Sequence, residues 1–135
     1  MSYPITAIGA DADEARRFRT LRIRTAERLL EAAKNPKGRK ELAAKTGIGE
    51  KRLLGLANTA DRMRVKGLGK QYAAILPAVG VDTVKELKDR NPERLAKAIV
   101  ELNKRRKLVR FLPTVGLVTS WIEHAKKLPM KISYR

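Results

Sequence analysis

The sequence contains no cysteine, which excludes disulfide scaffolds and zinc sites built from thiolates. The only histidine, His124, has no recognisable set of ligands around it, so no metal site is predicted and we expect a surface position. Aromatic residues make up 4% of the chain, which leaves few platforms for stacking single-stranded bases. No apolar run is long enough to span a membrane, and the N-terminus lacks a signal-peptide pattern. We therefore expect a cytoplasmic or nucleoid location and no membrane partner.

Acidic residues are also scarce relative to basic ones. The chain has 31 Lys and Arg against 14 Asp and Glu, which gives a formal net charge of +17. Positions 1–60 hold 13 basic and 7 acidic residues, and positions 61–135 hold 18 and 7. Because so large an excess repels itself in a compact chain, an anionic partner is expected. The composition favours nucleic acid, including ribosomal RNA.

Signatures of catalysis are missing as well. We find no paired-carboxylate metal site, nucleophile elbow or P-loop, and no histidine with an evident partner as general base. The sequence therefore predicts no catalytic residues, no cofactor and no small-molecule substrate. We expect a protein that is not an enzyme.

The apolar pattern is helical throughout. Positions 72–79 have helical spacing and end at Gly80, while Pro77 should kink or tighten that helix. Thr83-Val84-Lys85-Glu86 is a capping box, and Asn91-Pro92 reads as an N-cap followed by proline. No strand alternation is found. The fold class predicted is all-α with roughly ten short helices, which include 92–103, 105–112 and 119–128.

Comparing the sequence with itself at an offset of 58 residues reveals a weak duplication. Gly9 falls on Gly67, Thr25 on Thr83, and other apolar positions keep their order. Asn35-Pro36 matches Asn91-Pro92 after a two-residue shift. We predict two tandem units, residues 1–62 and 63–135, each of about five short helices and packed as one compact body. The second unit ends in a short, loose tail, and the duplication favours a monomer.

The segment Val65-Lys66-Gly67-Leu68-Gly69-Lys70 carries the strongest functional signal. Glycine tolerates positive φ, so Gly-x-Gly can aim successive N–H groups outward. A helix that begins near Lys70 would add its free amides and the positive end of its dipole. The turn predicts an anion cradle, although the same glycines could also form nothing more than a tight interhelical turn.

The turn and its flanking helices resemble the helix-hairpin-helix motif of DNA repair and recombination proteins. The match rests on Val65, on Gly67-Leu68-Gly69, and on the helix that carries Tyr72, Ala73, Ile75 and Leu76. The wider chain is similar to a family of small uncharacterised bacterial and archaeal proteins with two tandem helix-hairpin-helix-like units.

The resemblance implies non-sequence-specific binding to the phosphate backbone, here of double-stranded DNA. It implies that the amides of Gly67, Leu68 and Gly69 face phosphate oxygens while Lys66 and Lys70 supply charge. In related motifs a monovalent cation sometimes bridges the hairpin and the phosphate. The nucleic-acid-binding residues expected are Arg62, Arg64, Lys66, Gly67, Leu68, Gly69 and Lys70.

Two other glycine-marked turns are expected to be structural. Gly9-Ala10-Asp11 places a carboxylate where phosphate would bind, and Asp11 with Glu14 reads as a helix start. Arg22 occupies the position that matches Gly80, so that helix must end differently or tolerate strain. Gly47-Ile48-Gly49 is interpreted as a connector, with Gly47 after one helix and Gly49 capping the next.

Other basic and aromatic residues allow further predictions. Trp121, Tyr72 and Phe111 are expected to pack in the core. The basic clusters could contact phosphate or form a solvated face. The secondary basic contacts predicted are Arg16, Arg17, Arg19, Lys104, Arg105, Arg106 and Lys107.

Two alternative functions remain open from the sequence. An exposed apolar groove, in place of a continuous basic face, would favour a protein–protein interaction module. Structured RNA, including ribosomal RNA, is the other alternative because phosphate cradling does not distinguish RNA from DNA.

Overall fold

A computed structural model describes residues 3–135, and the regular structure in that range is helical apart from one isolated bridge between Pro4 and Thr25. The prediction of an all-α fold is confirmed. None of the helices in this part of the chain is long and apolar enough to cross a membrane. The helices are α1 Ala12–Thr20, α2 Ala26–Ala33, α3 Pro36–Thr46, α4 Glu50–Arg62, α5 Gly69–Ile75, α6 Val84–Lys88, α7 Pro92–Arg106 and α8 Val115–Lys127, with 3-10 helices at Ile5–Ile8 and Leu76–Val79.

The contacts divide the chain into two units. The first comprises the chain up to Asp61 together with Lys131–Arg135, and the second is Arg62–Met130. The last five residues thus belong to the first unit, whereas the sequence placed them in the second as a loose tail. The Ser133 N–H donates to the Lys34 carbonyl at 2.8 Å, which ties this tail to the segment after α2.

In the first unit, α2 packs against α3 and the first 3-10 helix. Phe18, Leu29 and Leu53 are fully buried in its core. Arg39 is buried as well, and its guanidinium donates to the carbonyls of Ala33 and Ser133 at 2.9 and 2.8 Å. Burial lowers the pKa of Arg39 below its ordinary value because desolvation disfavours the charged form.

In the second unit, α8 packs against α6 and α7 and carries the largest buried side chain, Trp121. Pro77 acts as predicted: α5 ends at Ile75, and the chain continues as the 3-10 helix Leu76–Val79 with proline in its first turn. Because Pro77 has no backbone N–H to donate, the helix tightens into a 3-10 turn before Gly80.

The predicted helix starts are confirmed where the signal is local. The Asp11 N–H donates to Glu14 Oε1 at 3.0 Å, and the Glu14 N–H donates to Asp11 Oδ1 at 2.7 Å. In the second unit, the Thr83 N–H donates to Glu86 Oε1 at 2.9 Å. Gly47 ends α3 at φ +75°, and its N–H donates to the Ala43 carbonyl at 2.8 Å, as the connector interpretation requires.

The predicted helix over 105–112 is wrong. Helix α7 ends at Arg106 because Lys107 adopts a left-handed conformation with φ +48°. The Asn103 side chain then fixes the loop, accepting from the Val109 N–H at 2.9 Å. Helix α8 begins at Val115, four residues earlier than predicted, because the Thr114 hydroxyl caps it.

Backbone geometry recurs between the units at the offset of 58 residues. Arg22 has φ +61° and its counterpart Gly80 has φ +87°. Arg22 thus tolerates the backbone conformation that glycine adopts in the other unit, one of the two outcomes expected from the sequence. The surrounding hydrogen bonds match: Arg22 donates to Arg19 and Gly80 to Pro77, while Ile23 donates to Phe18 and Val81 to Leu76.

Candidate nucleic-acid interface

In the turn between α4 and α5, the buried side chain of Leu68 lies between two glycines, Gly67 and Gly69. Gly67 and Gly69 have φ of +82° and +72°, a region that non-glycine residues rarely adopt. Leu68 between them is 2% exposed and anchors the turn in the core of the second unit. Gly67 is exposed and Gly69 half-buried. The buried Leu68 side chain therefore fixes the turn to the core, while the backbone at Gly67 is accessible to solvent.

Helix α8 supports the turn with two side chains. The Trp121 indole N–H donates to the Gly67 carbonyl at 3.3 Å. His124 Nδ1 accepts from the Lys66 N–H at 2.9 Å. The Trp121 ring also lies 5.0 Å from the Tyr72 ring, centroid to centroid, so it joins the turn to α5. The core position predicted for Trp121 is confirmed.

The role of His124 could not be anticipated from its lone occurrence in the sequence, which indicated only a surface residue. It is half-buried, and it follows Trp121 by three positions, so both side chains lie on one face of α8. The spacing of three positions from a buried tryptophan is the sequence signal that could have placed His124 beside the turn.

Two of the amides in the turn have no hydrogen-bond acceptor in the described part of the chain. The Leu68 N–H donates to the Val65 carbonyl at 3.2 Å, so the expectation that this amide faces phosphate is corrected. The Lys66 amide is bonded to His124. Within residues 3–135 we find no acceptor for the N–H groups of Gly67 and Gly69. These two amides are the donors that the turn can offer to a ligand.

Lys66 and Lys70, on either side of the glycines, are both exposed. Neither side chain has an ion-pair or hydrogen-bond partner in the part of the chain that the structure describes. The unbonded amides therefore lie between two solvated ammonium groups, which favours an anionic ligand.

The two arginines before the turn serve the fold. Arg62 is 5% exposed, with Nε donating to the Ala73 carbonyl and Nη1 to the Asp82 carbonyl, both at 2.8 Å. The phosphate contact expected of Arg62 is therefore corrected, because its guanidinium is buried among carbonyls of the second unit. Arg64 is half-buried and donates to the Pro129 carbonyl at 2.8 Å.

In the first unit, the turn at Gly9 is bonded to a cationic side chain of the protein itself, Arg52. Gly9 has φ +97°, and the guanidinium of Arg52 donates to its carbonyl at 2.8 Å. Arg52 also donates to both carboxylate oxygens of Glu14, at 2.8 and 2.9 Å. This hydrogen bond is the main reason that the pKa of Glu14 falls from 4.5 to about 2. The ionised Glu14 supports the prediction that this turn is structural.

A sequence profile for the family described as domain of unknown function (DUF4332) matches residues 9–128. The chain belongs to this family. The matched range includes all three glycine-marked turns, at Gly9, Gly47 and Gly67. No solved structure matches the chain.

The secondary basic residues fall into two groups. Arg16 and Arg17 pair with Asp13, and Arg17 also donates to the Thr46 carbonyl at 2.9 Å. Lys104 pairs with Glu101 at 3.5 Å. The other four side chains are exposed and have no such partner within residues 3–135: Arg19, Arg105, Arg106 and Lys107.

The core position expected for Phe111 is wrong. Its side chain is 71% exposed, with the Arg110 guanidinium 5.5 Å from the ring centroid. The segment is a loop and not a helix, and it buries Val109 but not Phe111. The Tyr72 hydroxyl donates to the Phe111 carbonyl at 2.8 Å and fixes this loop against α5. Leu108, Leu112 and Val115 are also at least 44% exposed.

A metal centre is not seen in the described residues either, since no three His, Cys, Asp or Glu side chains in them are grouped to hold an ion.

Proposed function

We propose that this protein binds double-stranded DNA through its phosphate backbone, with little sequence preference and without catalysing a reaction. The observation that carries the proposal is that the amides of Gly67 and Gly69, for which residues 3–135 supply no acceptor, lie between the exposed side chains of Lys66 and Lys70. Backbone amides recognise phosphate oxygens whichever base is attached, so such contacts give affinity without sequence information.

The turn is organised before a ligand arrives. Leu68 anchors it in the core, and Trp121 and His124 hold the carbonyl of Gly67 and the amide of Lys66. A phosphate would therefore bind without first ordering the loop, which reduces the entropic cost of binding. The formal charge of +17 adds long-range attraction to the polyanion. A cytoplasmic or nucleoid location would fit this function.

We also infer that the two units are tandem copies of one helix-hairpin-helix-like element. The support is the repeated positive φ at Gly9 and Gly67 and at Arg22 and Gly80, with matching hydrogen bonds. In the second copy both glycines of the hairpin are present, and in the first the second glycine is replaced by Asp11.

A double substitution, Gly67→Ala/Gly69→Ala, tests the function. A Cβ at either position meets no atom within 4 Å, so the methyl groups fit and the cost comes from positive φ. That cost is about 1–2 kcal/mol at each position. We expect duplex DNA binding, measured by electrophoretic mobility shift, to weaken at least tenfold while circular dichroism remains helical.

The matched control is Gly9→Ala in the first unit. Gly9 also has positive φ and open space around its Cβ position, so its substitution introduces the same kind of strain at one position. Since Arg52 and Glu14 occupy that turn, binding should be unchanged. DNA binding that survives in the folded Gly67→Ala/Gly69→Ala variant would refute the hairpin as the interface.

A second candidate function is a protein-interaction module. It is favoured by the exposed apolar residues of the loop between α7 and α8, Leu108, Phe111 and Leu112. Structured RNA remains the alternative nucleic acid, and competition of duplex DNA, single-stranded DNA and structured RNA at one salt concentration separates the ligands.

A further inference from the structure

The first unit contains a cavity of about 610 Å³ at the start of α2. It is lined by Arg22, Arg24, Thr25 and Arg28. All three arginines are exposed, and none of their guanidinium groups has a hydrogen-bond or ion-pair partner among residues 3–135. This sets them apart from Arg16, Arg17 and Arg52 of the same unit, which are bonded to carboxylates.

An adjoining cavity shares Arg22 and Arg28 and adds Glu27 and Glu31 to its lining. Glu31 already pairs with Lys34 and with Lys131, the latter at 3.5 Å. Its carboxylate is thus neutralised by lysines and leaves the arginines available to an external anion.

Arg22 occupies a backbone conformation that favours glycine. Its φ is +61°, whereas the matching position of the second unit is Gly80 at +87°. An unbranched but charged side chain kept in a disfavoured conformation is an outlier that points to a use for that side chain.

The charges of the two units are reversed at this place. The residues that match Arg22, Arg24, Thr25 and Arg28 in the second unit are Gly80, Asp82, Thr83 and Glu86. The opposite holds at the hairpin, where Asp11 of the first unit matches Gly69 and Ile8 matches Lys66. The arginine cluster is therefore specific to the first unit, and the lysine before the hairpin glycines is specific to the second.

We propose that Arg22, Arg24 and Arg28, with the hydroxyl of Thr25, form a second phosphate-binding site that takes a phosphodiester group of a nucleic acid. The proposal rests on the DNA-binding function proposed above. Planar guanidinium groups donate two hydrogen bonds at a time to phosphate oxygens. Thr25 Oγ1 accepts from the Arg28 N–H at 3.2 Å, which leaves the hydroxyl proton to donate.

The substitution Arg22→Gly separates binding from folding. Glycine relieves the positive φ, so the thermal midpoint should rise. Removal of the guanidinium should weaken binding to a 20-base-pair duplex at the same time. If Arg22 were only structural, affinity would stay unchanged or follow stability, and either result overturns its place in the site.

The triple variant Arg22→Gly/Arg24→Ala/Arg28→Ala tests the whole site. We expect the slope of log Kobs against log [salt] to shrink by about 0.9 for each phosphate that the protein no longer neutralises. The control is Lys37→Ala/Lys40→Ala/Lys51→Ala, which removes three exposed cations of the first unit from outside the cavity. Equal effects of the two triple variants would show a general charge effect and overturn the site.

Inorganic phosphate and a free nucleoside monophosphate are added as competitors to distinguish the source of the phosphate. Weak competition even at millimolar concentration supports the nucleic-acid backbone. Tight binding of either small anion that the triple variant abolishes would reassign the cavity to a free phosphate compound and overturn the proposal.

Comparison with the Gly67→Ala/Gly69→Ala variant separates the two hypotheses. If only the hairpin variant loses affinity, the arginine site fails and the DNA-binding function stands. If only the arginine variant loses affinity, the hairpin fails and the arginine site stands. A wild-type protein that binds no duplex at low salt refutes both.

Discussion

At the scale of single residues, contacts between distant positions decide which charges reach the surface. Arg62 and Lys66 are both basic and lie four positions apart, yet Arg62 is buried against two carbonyls and Lys66 is exposed. Charge and position along the chain therefore do not identify a ligand contact by themselves. The hydrogen-bond partners of each basic side chain show whether it is available to a ligand.

Glu14 makes the first unit sensitive to acid. Its folded-state pKa of about 2 lies below its ordinary value of 4.5, chiefly because Arg52 donates to it. The stabilisation is thus fully present above about pH 4.5 and is lost as the pH falls towards 2. The shift corresponds to at most about 3.4 kcal/mol, and solvent screening at the half-exposed Arg52 side chain reduces that figure.

We expect Glu14→Gln to lower the free energy of unfolding by about 1–2 kcal/mol at pH 7 and to flatten its pH dependence between 4.5 and 2. Urea unfolding at a series of pH values measures this. Glu41→Gln, at an exposed position of α3, serves as the control. An unaltered pH profile for Glu14→Gln would contradict the role of the Arg52 contact.

At the scale of helices, the sequence predicts what neighbouring residues determine. The Asp11–Glu14 and Thr83–Glu86 caps and the tightening at Pro77 act within one turn, so their positions were readable. The glycine turn was readable because positive φ favours glycine. Arg62 is buried by contacts with carbonyls 11 and 20 positions away, which no local pattern reveals. The spacing of His124 from Trp121 indicates the helix face on which it lies, but not its partner 58 positions away.

The loop between α7 and α8 shows the same limit. Its apolar residues have helical spacing, but the left-handed Lys107 ends α7 first. Local spacing could not show this, because Lys107 is a residue that rarely adopts positive φ.

Replacing Phe111 with Ser tests the role of this loop. Because the ring is 71% exposed, we expect a change in unfolding free energy within about 0.5 kcal/mol. Unchanged duplex binding would favour a protein partner for Phe111. A selective loss of binding to single-stranded DNA would show that the ring stacks on bases. Destabilisation well above that range would show that the ring is packed in solution.

At the scale of the whole molecule, the first unit is completed by the last five residues of the chain. Deleting residues 131–135 removes the Lys131 pairing with Glu31 and the Ser133 bonds to Lys34 and Arg39. We expect the free energy of unfolding to fall by about 1–3 kcal/mol, since buried Arg39 is deprived of one acceptor.

Hydrogen exchange localises this effect of the deletion. Amides of α2 and α3 should lose protection, and those of α6 and α8 should keep theirs. Arg135→Ala is the control. Equal loss of protection in both units would contradict the assignment of the tail to the first.

The charge of the whole chain predicts a steep salt dependence. If about six to ten phosphates are neutralised, duplex affinity should fall about 10³–10⁵-fold between 50 and 200 mM salt. Titrations at several salt concentrations measure the slope. An affinity that is insensitive to salt would contradict binding through the phosphate backbone.

Trp121 is the only tryptophan of the chain, and its indole is fully buried with its N–H on the Gly67 carbonyl. The protein thus carries its own optical probe directly below the candidate turn. A ligand that accepts a hydrogen bond from the Gly67 amide polarises the backbone to which the Trp121 indole is bonded. The tryptophan fluorescence of the unlabelled protein should therefore change when a ligand binds at the hairpin. Occupancy of the arginine cavity in the first unit should leave that signal unchanged.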